Sequence, residues 1–428
     1  MCAEWKAGYD VRLLASRLEK AKRVNKSTGR VSFDGFESPD VVTVLHSTVR
    51  FAEKLPELEQ RNIIWHSAFA VAQAERITKE SLIAEISKRE RVCAIRPVTP
   101  YVLATTLSVR RRLFTSRPPE LPARTEISGH RITFDALLPK HFREGHREAQ
   151  ERGRNVIFGE LPRERPHWER YSAVRVSART RSTEQAAESA LDALDLLRGI
   201  WNLYFNRRVP WRSSYGKRNP INEIVLGPIH SLHKPSGKLA TERYWWSAEY
   251  AGPRKPIQLA PELERLRSFE RLIRRYLAKS SYREDIETSI RRYNRALDSP
   301  HWNTAFVQLW GLLEHLTDTT RMTYENTIRR AAFLYRKDER YYNRQILKHL
   351  MHYRNRVVHA GYETDEIELH LYQLKRFVER LLLFHIFATP SFSRREDTAQ
   401  FMHLPADLPE LQRQMRLMRR ALRYHGGA

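Results

Sequence analysis

The chain has 428 residues, enough for two or three domains, and its 41% apolar and 29% charged content is that of a folded globular protein rather than a disordered one. Lysine and arginine number 75 against 50 acidic residues, and the net charge of +25 favours a polyanionic partner, with nucleic acid ahead of an anionic membrane surface. The two cysteines, Cys2 and Cys93, exclude a disulfide framework and a Cys-rich zinc site. No apolar run reaches the roughly 18 residues of a membrane span and no secretory signal opens the chain, so we expect a cytoplasmic protein without a membrane partner.

Residues 1–90 are predicted to be mostly helical. Apolar residues recur at helical spacing through 41–75, and Pro56 interrupts them. Residues 91–258 have a mixed α/β texture, which we interpret as a sensor or regulatory region. Short β-rich runs there predict strands at 92–98, 131–138, 155–161, 171–178, 222–229 and 243–250.

Two local signals organise this middle region. Ser182 is a predicted N-cap, because Gln185 follows three residues later and an amphipathic helix comes next. The tetrapeptide at 234–237, Lys-Pro-Ser-Gly, predicts a turn between the last two strands.

Strand signals stop after Pro261. Helical patterns follow at 262–278, 282–297, 301–317, 324–335, 338–360 and 364–388. The sequence therefore predicts an α+β protein, in which a mixed α/β N-terminal region precedes an all-α helical bundle with a C-terminal tail over 259–428.

The sharpest chemical signal lies in this bundle, at Tyr353-Arg354-Asn355-Arg356-Val357-Val358-His359-Ala360-Gly361. It resembles the R-N-x3-H signature of the HEPN superfamily, small helical bundles that include many ribonucleases. The resemblance covers roughly residues 262–390 and is closest to the HEPN domains that end bacterial anti-phage proteins. It implies a metal-independent endoribonuclease with Arg354, Asn355 and His359 as catalytic residues and no cofactor, acting as a toxin-like effector in antiviral defence.

The residue types suit that chemistry. Histidine can take a proton from the RNA 2′-hydroxyl or give one to the leaving oxygen, and arginine offers a permanent charge to the phosphate. Five residues of helix turn about 500°, so Arg354 and His359 point about 140° apart. The family's composite site, with Arg and His from each protomer, has a matching arrangement and implies a homodimer through the C-terminal bundle. Glu314 and Tyr353 are candidate supporting residues.

A second strict match lies at Arg61-Asn62-Ile63-Ile64-Trp65-His66. Because the helical pattern continues past His66, and Trp65 and Phe69 have the character of packing residues, we favour a structural role for this segment. A second, internal HEPN unit is the alternative.

A loop rich in cations and aromatic rings follows residue 206, a composition typical of single-stranded nucleic-acid contacts. Its candidate RNA-binding residues are Arg207, Arg208, Trp211, Arg212, Tyr215, Lys217 and Arg218. The pairs His230/His233 and His349/His352 lack further ligands in sequence, so we expect no metal site.

Two other functions stay open. A compact RNA-guided, CRISPR-type HEPN effector would use both motifs and carry a bound guide or regulatory RNA. A non-catalytic nucleic-acid-binding protein would keep the bundle only as a dimerisation scaffold.

Overall fold

The computed structural model describes residues 2–25, 27–33, 37–74, 76–110, 124–158, 170–208, 220–246, 255–360, 366–388 and 391–426, with the backbone alone at 37–39, 154–158 and 359–360. The predicted α+β class is confirmed, since one large antiparallel sheet is built from residues 99–246 and the described residues from 260 onward are helical. Among the described helices, none is both long enough and apolar enough to cross a membrane.

The first 95 residues form a helical unit with its own core. Its elements are β1 (Glu4–Trp5), α1 (Val11–Ala21), β2 (Lys22–Val24), β3 (Val31–Phe33), α2 (Glu37–Thr48), β4 (Val49–Arg50), α3 (Glu57–Ala74) and α4 (Lys79–Ile95). The predicted break at Pro56 is confirmed, because α3 begins one residue later. The strand predicted at 92–98 is wrong, since its first four residues are helical and β5 begins only at Thr99. Helix α4 continues to Ile95 because Leu82, Ile86 and Cys93 recur at helical spacing and are buried in this core.

A six-stranded antiparallel sheet follows. Its strands are β5 (Thr99–Arg110), β6 (Arg124–Ile127), β7 (His130–Asp135), β8 (Tyr171–Thr180), β9 (Ile229–His233) and β10 (Leu239–Trp246), in the order β10-β9-β5-β8-β7-β6. Strands predicted at 131–138 and 171–178 are confirmed as β7 and β8. Their register places Phe134 opposite Val174 and Ile132 opposite Val176, so the apolar side chains of the two strands meet on one face.

Helix α5 (Lys140–Phe158) contains residues 155–158, so the strand predicted at 155–161 is wrong where the structure describes it. The many charged residues of this segment make its helical pattern hard to recognise in the sequence. Its buried residues do have helical spacing and are Phe142, His146, Ala149 and Gly153. A Cβ atom at Gly153 would lie 3.0 Å from the Ile229 side chain, so this glycine permits α5 to pack closely on β9.

The strand predicted at 222–229 is displaced, and β9 runs from 229 to 233. The side chain of Asn202 explains the difference, since it accepts a 2.9 Å hydrogen bond from the Ile224 nitrogen and donates a 2.9 Å bond to the Ile224 oxygen. These bonds replace ladder partners for the backbone of Ile224. The predicted turn at 234–237 is confirmed by the bond from the Gly237 nitrogen to the Lys234 oxygen.

Helix α6 (Thr183–Asn206) begins at the predicted cap, where the Ser182 hydroxyl accepts from the Gln185 nitrogen. The six predicted helices of the second half are observed as α7 (Leu263–Ala278), α8 (Arg283–Asp298), α9 (Trp302–Leu316), α10 (Tyr324–Phe333), α11 (Lys337–Ala360) and α12 (Ile367–Ala388). The expected tail adds α13 (Arg395–His403) and α14 (Leu408–Tyr424). The first two residues of the helix predicted at 364–388 lie outside the described residues.

One continuous buried cluster includes side chains of the sheet, of α6 and of the C-terminal helices, and therefore crosses the boundary predicted near residue 258. Its polar centre is Arg198 of α6, which is fully buried and lies between two carboxylates. Arg198 donates to Asp195 at 2.5 Å and to Asp298 of α8 at 2.9 and 3.2 Å. A buried charge requires such partners, so this group fixes α8 against α6.

Candidate active site

Helix α11 carries the motif in its C-terminal half. Three buried residues, Leu347, Leu350 and Tyr353, recur every third position and attach this part of the helix to the core. Arg354 and Asn355 are half-buried, and Val358 is exposed. The motif thus lies where the helix changes from the core to the surface, and a polymer could reach it there.

Tyr353 lies wholly inside the core. Its hydroxyl donates to the Asn303 side chain at 2.7 Å, and its ring meets that of Phe306 edge-on, with 5.0 Å between the centroids. A fully buried ring has no face for a nucleic-acid base. What Tyr353 can do for the motif is hold α11 against α9.

Arg354 is positioned by an aromatic residue of another helix. Its guanidinium carbon lies 5.5 Å from the ring centroid of Tyr324, the first residue of α10. It also donates to the Asn355 side chain at 3.4 Å. Stacking on a ring restricts the guanidinium without neutralising its charge, so Arg354 keeps hydrogen-bond donors for a phosphate.

Glu314 contacts the stack of Arg354 on Tyr324 indirectly, through Trp310. Its carboxylate accepts a 2.8 Å hydrogen bond from the indole nitrogen of Trp310. The Trp310 ring in turn packs edge-on against Tyr324, with 6.2 Å between centroids. Glu314 therefore contacts the residue that packs against the Arg354 platform.

His359 lies in the last turn of α11, and its side chain lies outside the described part of the structure. The helical backbone still sets directions. Arg354 and His359 are separated by about 140° around the axis, whereas Asn355 and His359 are four residues apart on one face.

A histidine pair adjoins the motif helix. The Nε2 atoms of exposed His349 on α11 and buried His370 on α12 are 2.9 Å apart, and His352 is exposed. Burial lowers the pKa of His370, and the neighbouring charges of His349 and Arg356 lower it further. His370 is therefore neutral near pH 7, and one ring donates a hydrogen bond to the other.

The other histidine pair, His230 and His233, forms hydrogen bonds to side chains of its own chain. His230 bonds the Thr105 hydroxyl at 2.6 Å, and His233 bonds the Ser231 hydroxyl at 2.8 Å. Among the described residues, no three histidine, cysteine or acidic side chains are grouped as metal ligands.

The second motif belongs to α3 of the N-terminal unit. Arg61 is exposed and pairs with Glu57 at 2.6 Å, Asn62 is half-buried and His66 is exposed. The two motif helices belong to different buried clusters. Trp65 packs edge-on against Phe69, with 5.1 Å between centroids.

Only the start of the predicted RNA-binding loop is described. Arg207 lies 5.7 Å from the ring centroid of Phe269, and Arg208 donates to Glu262 at 2.8 Å and to Tyr204 at 2.7 Å. Five further candidates lie outside the described residues: Trp211, Arg212, Tyr215, Lys217 and Arg218.

Sequence reasoning missed Tyr324, which stacks under Arg354. No sequence signal marks it, because the contact depends on how α10 and α11 cross. Comparison of the chain with protein-family models, with curated proteins and with solved structures finds no match.

Proposed function

We propose that the protein is a metal-independent HEPN-type endoribonuclease, with Arg354, Asn355 and His359 at its active site. The observation that carries the proposal is the position of Arg354, which is half-buried, stacked on Tyr324 and five residues ahead of His359 on one helix. The net charge of +25 supports an RNA substrate.

The chemistry follows from the residue types. A histidine accepts the proton of the 2′-hydroxyl while that oxygen forms a bond to phosphorus. The bond from phosphorus to the 5′-oxygen breaks, and a protonated histidine gives that oxygen its proton. The products are a 2′,3′-cyclic phosphate and a 5′-hydroxyl. Arg354 stabilises the charge that develops on the phosphate oxygens, and Asn355 orients the ring of His359.

A dimer would complete this site. One helix directs Arg354 and His359 about 140° apart, so two motif helices facing each other place an arginine of one protomer near a histidine of the other. The C-terminal bundle has a surface suited to a second copy. Helix α14 exposes apolar residues at intervals of seven, three and four, which is the spacing along the seam of a coiled coil. These residues are Leu408, Met415, Met418 and Leu422.

The biological role we propose is that of a toxin-like effector in bacterial anti-phage defence, acting in the cytoplasm, with the region before residue 259 sensing a trigger. A protein of this kind should purify without a bound RNA of defined length. Such an RNA would instead favour the guided effector.

The decisive experiment is cleavage of a single-stranded RNA by the full chain in excess EDTA, with the product ends identified. We expect 2′,3′-cyclic phosphate ends and no cleavage of the matching DNA. Arg354→Ala and His359→Ala should each abolish cleavage, while Lys348→Ala, which removes an exposed cation of the same helix, should not. Cleavage by both motif variants at the wild-type rate would disprove the assignment.

A further inference from the structure

A second cleft lies at the opposite end of α11 from the motif. It has a volume of about 420 Å³ and lies between the end of α6, the start of α11 and the middle of α12. Asn343 lines it, and Arg354 follows eleven residues later, about 16 Å along the helix axis. The cleft is therefore distinct from the candidate active site.

Three arginines line this cleft, and each has its guanidinium within 6 Å of the centre of an aromatic ring. The guanidinium carbons of Arg207, Arg376 and Arg380 lie 5.7, 5.7 and 4.1 Å from ring centroids of Phe269, Phe377 and Tyr335 respectively. Arg380 also donates to the Leu334 oxygen at 2.6 and 3.0 Å. A ring contact restricts a guanidinium without neutralising its charge, so these arginines keep their attraction for an anion.

The ring of Tyr335 forms part of the cleft wall, and its hydroxyl is buried. Tyr335 is 8% exposed, and its ring lies under Arg380 while Arg376 interacts with its hydroxyl. Burial raises the pKa of this phenol, against the opposing charges of Arg376 and Arg380, so it stays protonated at neutral pH. Tyr335 therefore positions two of the arginines without competing for their charge.

Two carboxylates distinguish this cleft from a plain anion site. Glu379 is buried and already bound by Lys375 at 3.0 Å and Tyr293 at 2.5 Å, whereas Glu339 is exposed. A bare phosphate would meet repulsion from Glu339. A ligand with both a phosphate and hydrogen-bond donors, such as ribose hydroxyls or a base amino group, would suit both charges.

The remaining wall suits a base. Tyr342 lines the cleft and is 66% exposed, which leaves ring surface for stacking. The volume is also within the range of small-ligand sites, about 300–1,000 Å³.

We propose that this cleft binds a nucleotide, with its phosphate on Arg376 and Arg380 and with its ribose or base donors toward Glu339. The nucleotide is either free or part of an RNA strand, since both offer this chemistry. The proposal does not depend on the ribonuclease activity.

Isothermal titration of the full chain tests it. The probes are the four nucleoside 5′-monophosphates, adenosine, inorganic phosphate and a short single-stranded RNA, the last with Arg354→Ala protein so that the strand stays intact. We expect at least one monophosphate to bind, with adenosine and phosphate each at least about tenfold weaker.

Variants locate the binding. Arg376→Gln and Arg380→Gln should each weaken it about tenfold or more, because each removes a cation that contacts the phosphate. Arg131→Gln, at an exposed position of β7, is the matched control and should change nothing. Thermal melts should show all three variants folded.

The outcomes distinguish a free nucleotide from a nucleotide within an RNA strand. If the RNA binds with the same sensitivity to both variants and no free nucleotide does, the ligand is a nucleotide within a strand. The proposal is overturned if no probe binds, if binding ignores both variants, or if inorganic phosphate binds as tightly as a nucleotide.

Discussion

The guanidinium of Arg354 stacks on the ring of Tyr324, so the arginine that we propose for catalysis is positioned by a different helix from the one that carries it. The contact joins α10 to the motif end of α11. Because Arg354 has no ion pair with a carboxylate among the contacts of the described residues, the ring and the side chain of Asn355 are what restrain its planar group.

Replacement of this ring should reduce cleavage while Arg354 is still present. We expect Tyr324→Leu to lower kcat about five- to tenfold with little change in KM, because a loosely held arginine loses alignment with the transition state. Tyr324→Phe keeps the aromatic face and should retain most of the activity. Steady-state kinetics with one RNA substrate would decide. Equal losses of kcat in both variants would mean that cleavage depends on the hydroxyl of Tyr324 and not on its ring.

The composite site predicts complementation between inactive proteins. Arg354→Ala and His359→Ala homodimers should each be inactive, but a mixture that has exchanged subunits should regain weak cleavage, because a mixed dimer has one intact Arg and one intact His. The measurement is cleavage before and after subunit exchange, with doubly substituted protein as the control. A wild-type protein that is monomeric by light scattering and fully active would argue against a shared site.

The second motif should be dispensable for cleavage. Arg61→Ala removes only an exposed ion pair with Glu57, so activity should stay near wild type and stability should change by less than about 1 kcal/mol. Trp65→Ala should instead destabilise by about 1–3 kcal/mol, because the half-buried ring packs against Phe69. Loss of cleavage in a well-folded Arg61→Ala protein would favour an internal pair of HEPN units.

Two helical glycines give a matched test of packing. A Cβ atom at Gly199 of α6 would lie 2.6 Å from the Ile290 side chain and 3.0 Å from its backbone oxygen. Gly199→Ala should therefore destabilise by about 1–3 kcal/mol. At Gly311 of α9 the nearest atom is 3.8 Å away, so Gly311→Ala should be neutral or stabilise by up to about 1 kcal/mol through helix propensity. Chemical denaturation measures both, and equal effects would contradict the close approach of α6 and α8.

Stability should fall in mild acid. Burial lowers the pKa of His146 to about 3 and those of His230 and His385 to about 4. In the unfolded chain these histidines take up protons below about pH 6.5, whereas in the folded protein they stay neutral down to about pH 4. Their contribution to the free energy of unfolding is therefore complete above pH 6.5 and is lost as the pH falls toward 4. Each protonated histidine contributes a slope of up to about 1.4 kcal/mol per pH unit.

Unfolding free energies at pH 7 and pH 5 test this linkage. His230→Asn retains a polar group near the Thr105 hydroxyl and should reduce the difference between the two pH values. His130→Asn, at the end of β7, controls for the loss of one histidine. A difference that is the same in both variants would mean that His230 does not contribute to the linkage.

Periodicity predicted most of the fold, and it failed where tertiary contacts outweigh it. A short β-rich run identified β8, and apolar residues at helical spacing identified the C-terminal helices. The run at 92–98 was ambiguous by itself, and Cys93 belongs to a helix only because the N-terminal core buries it there. Residues 222–228 form only an isolated bridge to β5, from Leu226 to Leu107, and Asn202 bonds the backbone of Ile224 in place of a neighbouring strand.

The site was less predictable than the fold. The sequence is enough to place Arg354 and His359 on one helix and to give the angle between their side chains around its axis. Burial of Tyr353, the Tyr324 platform and the joining of His349 to His370 all depend on how helices cross, and one sequence does not contain that information. The arginine cleft combines residues from three distant segments for the same reason.

The pairing of Arg198 with Asp298 spans 100 residues and couples the burial of α8 to that of α6. Arg198 keeps Asp195 as a partner within α6, whereas Asp298 buried without Arg198 would lose this ion pair, so we expect α8 to reach its buried position only against a completed α6. Translation completes α6 well before α8 and α11. The motif helix therefore completes its fold on a scaffold that already exists. If the bundle is a ribonuclease, we expect the growing chain to remain inactive toward its own messenger until that ion pair has formed.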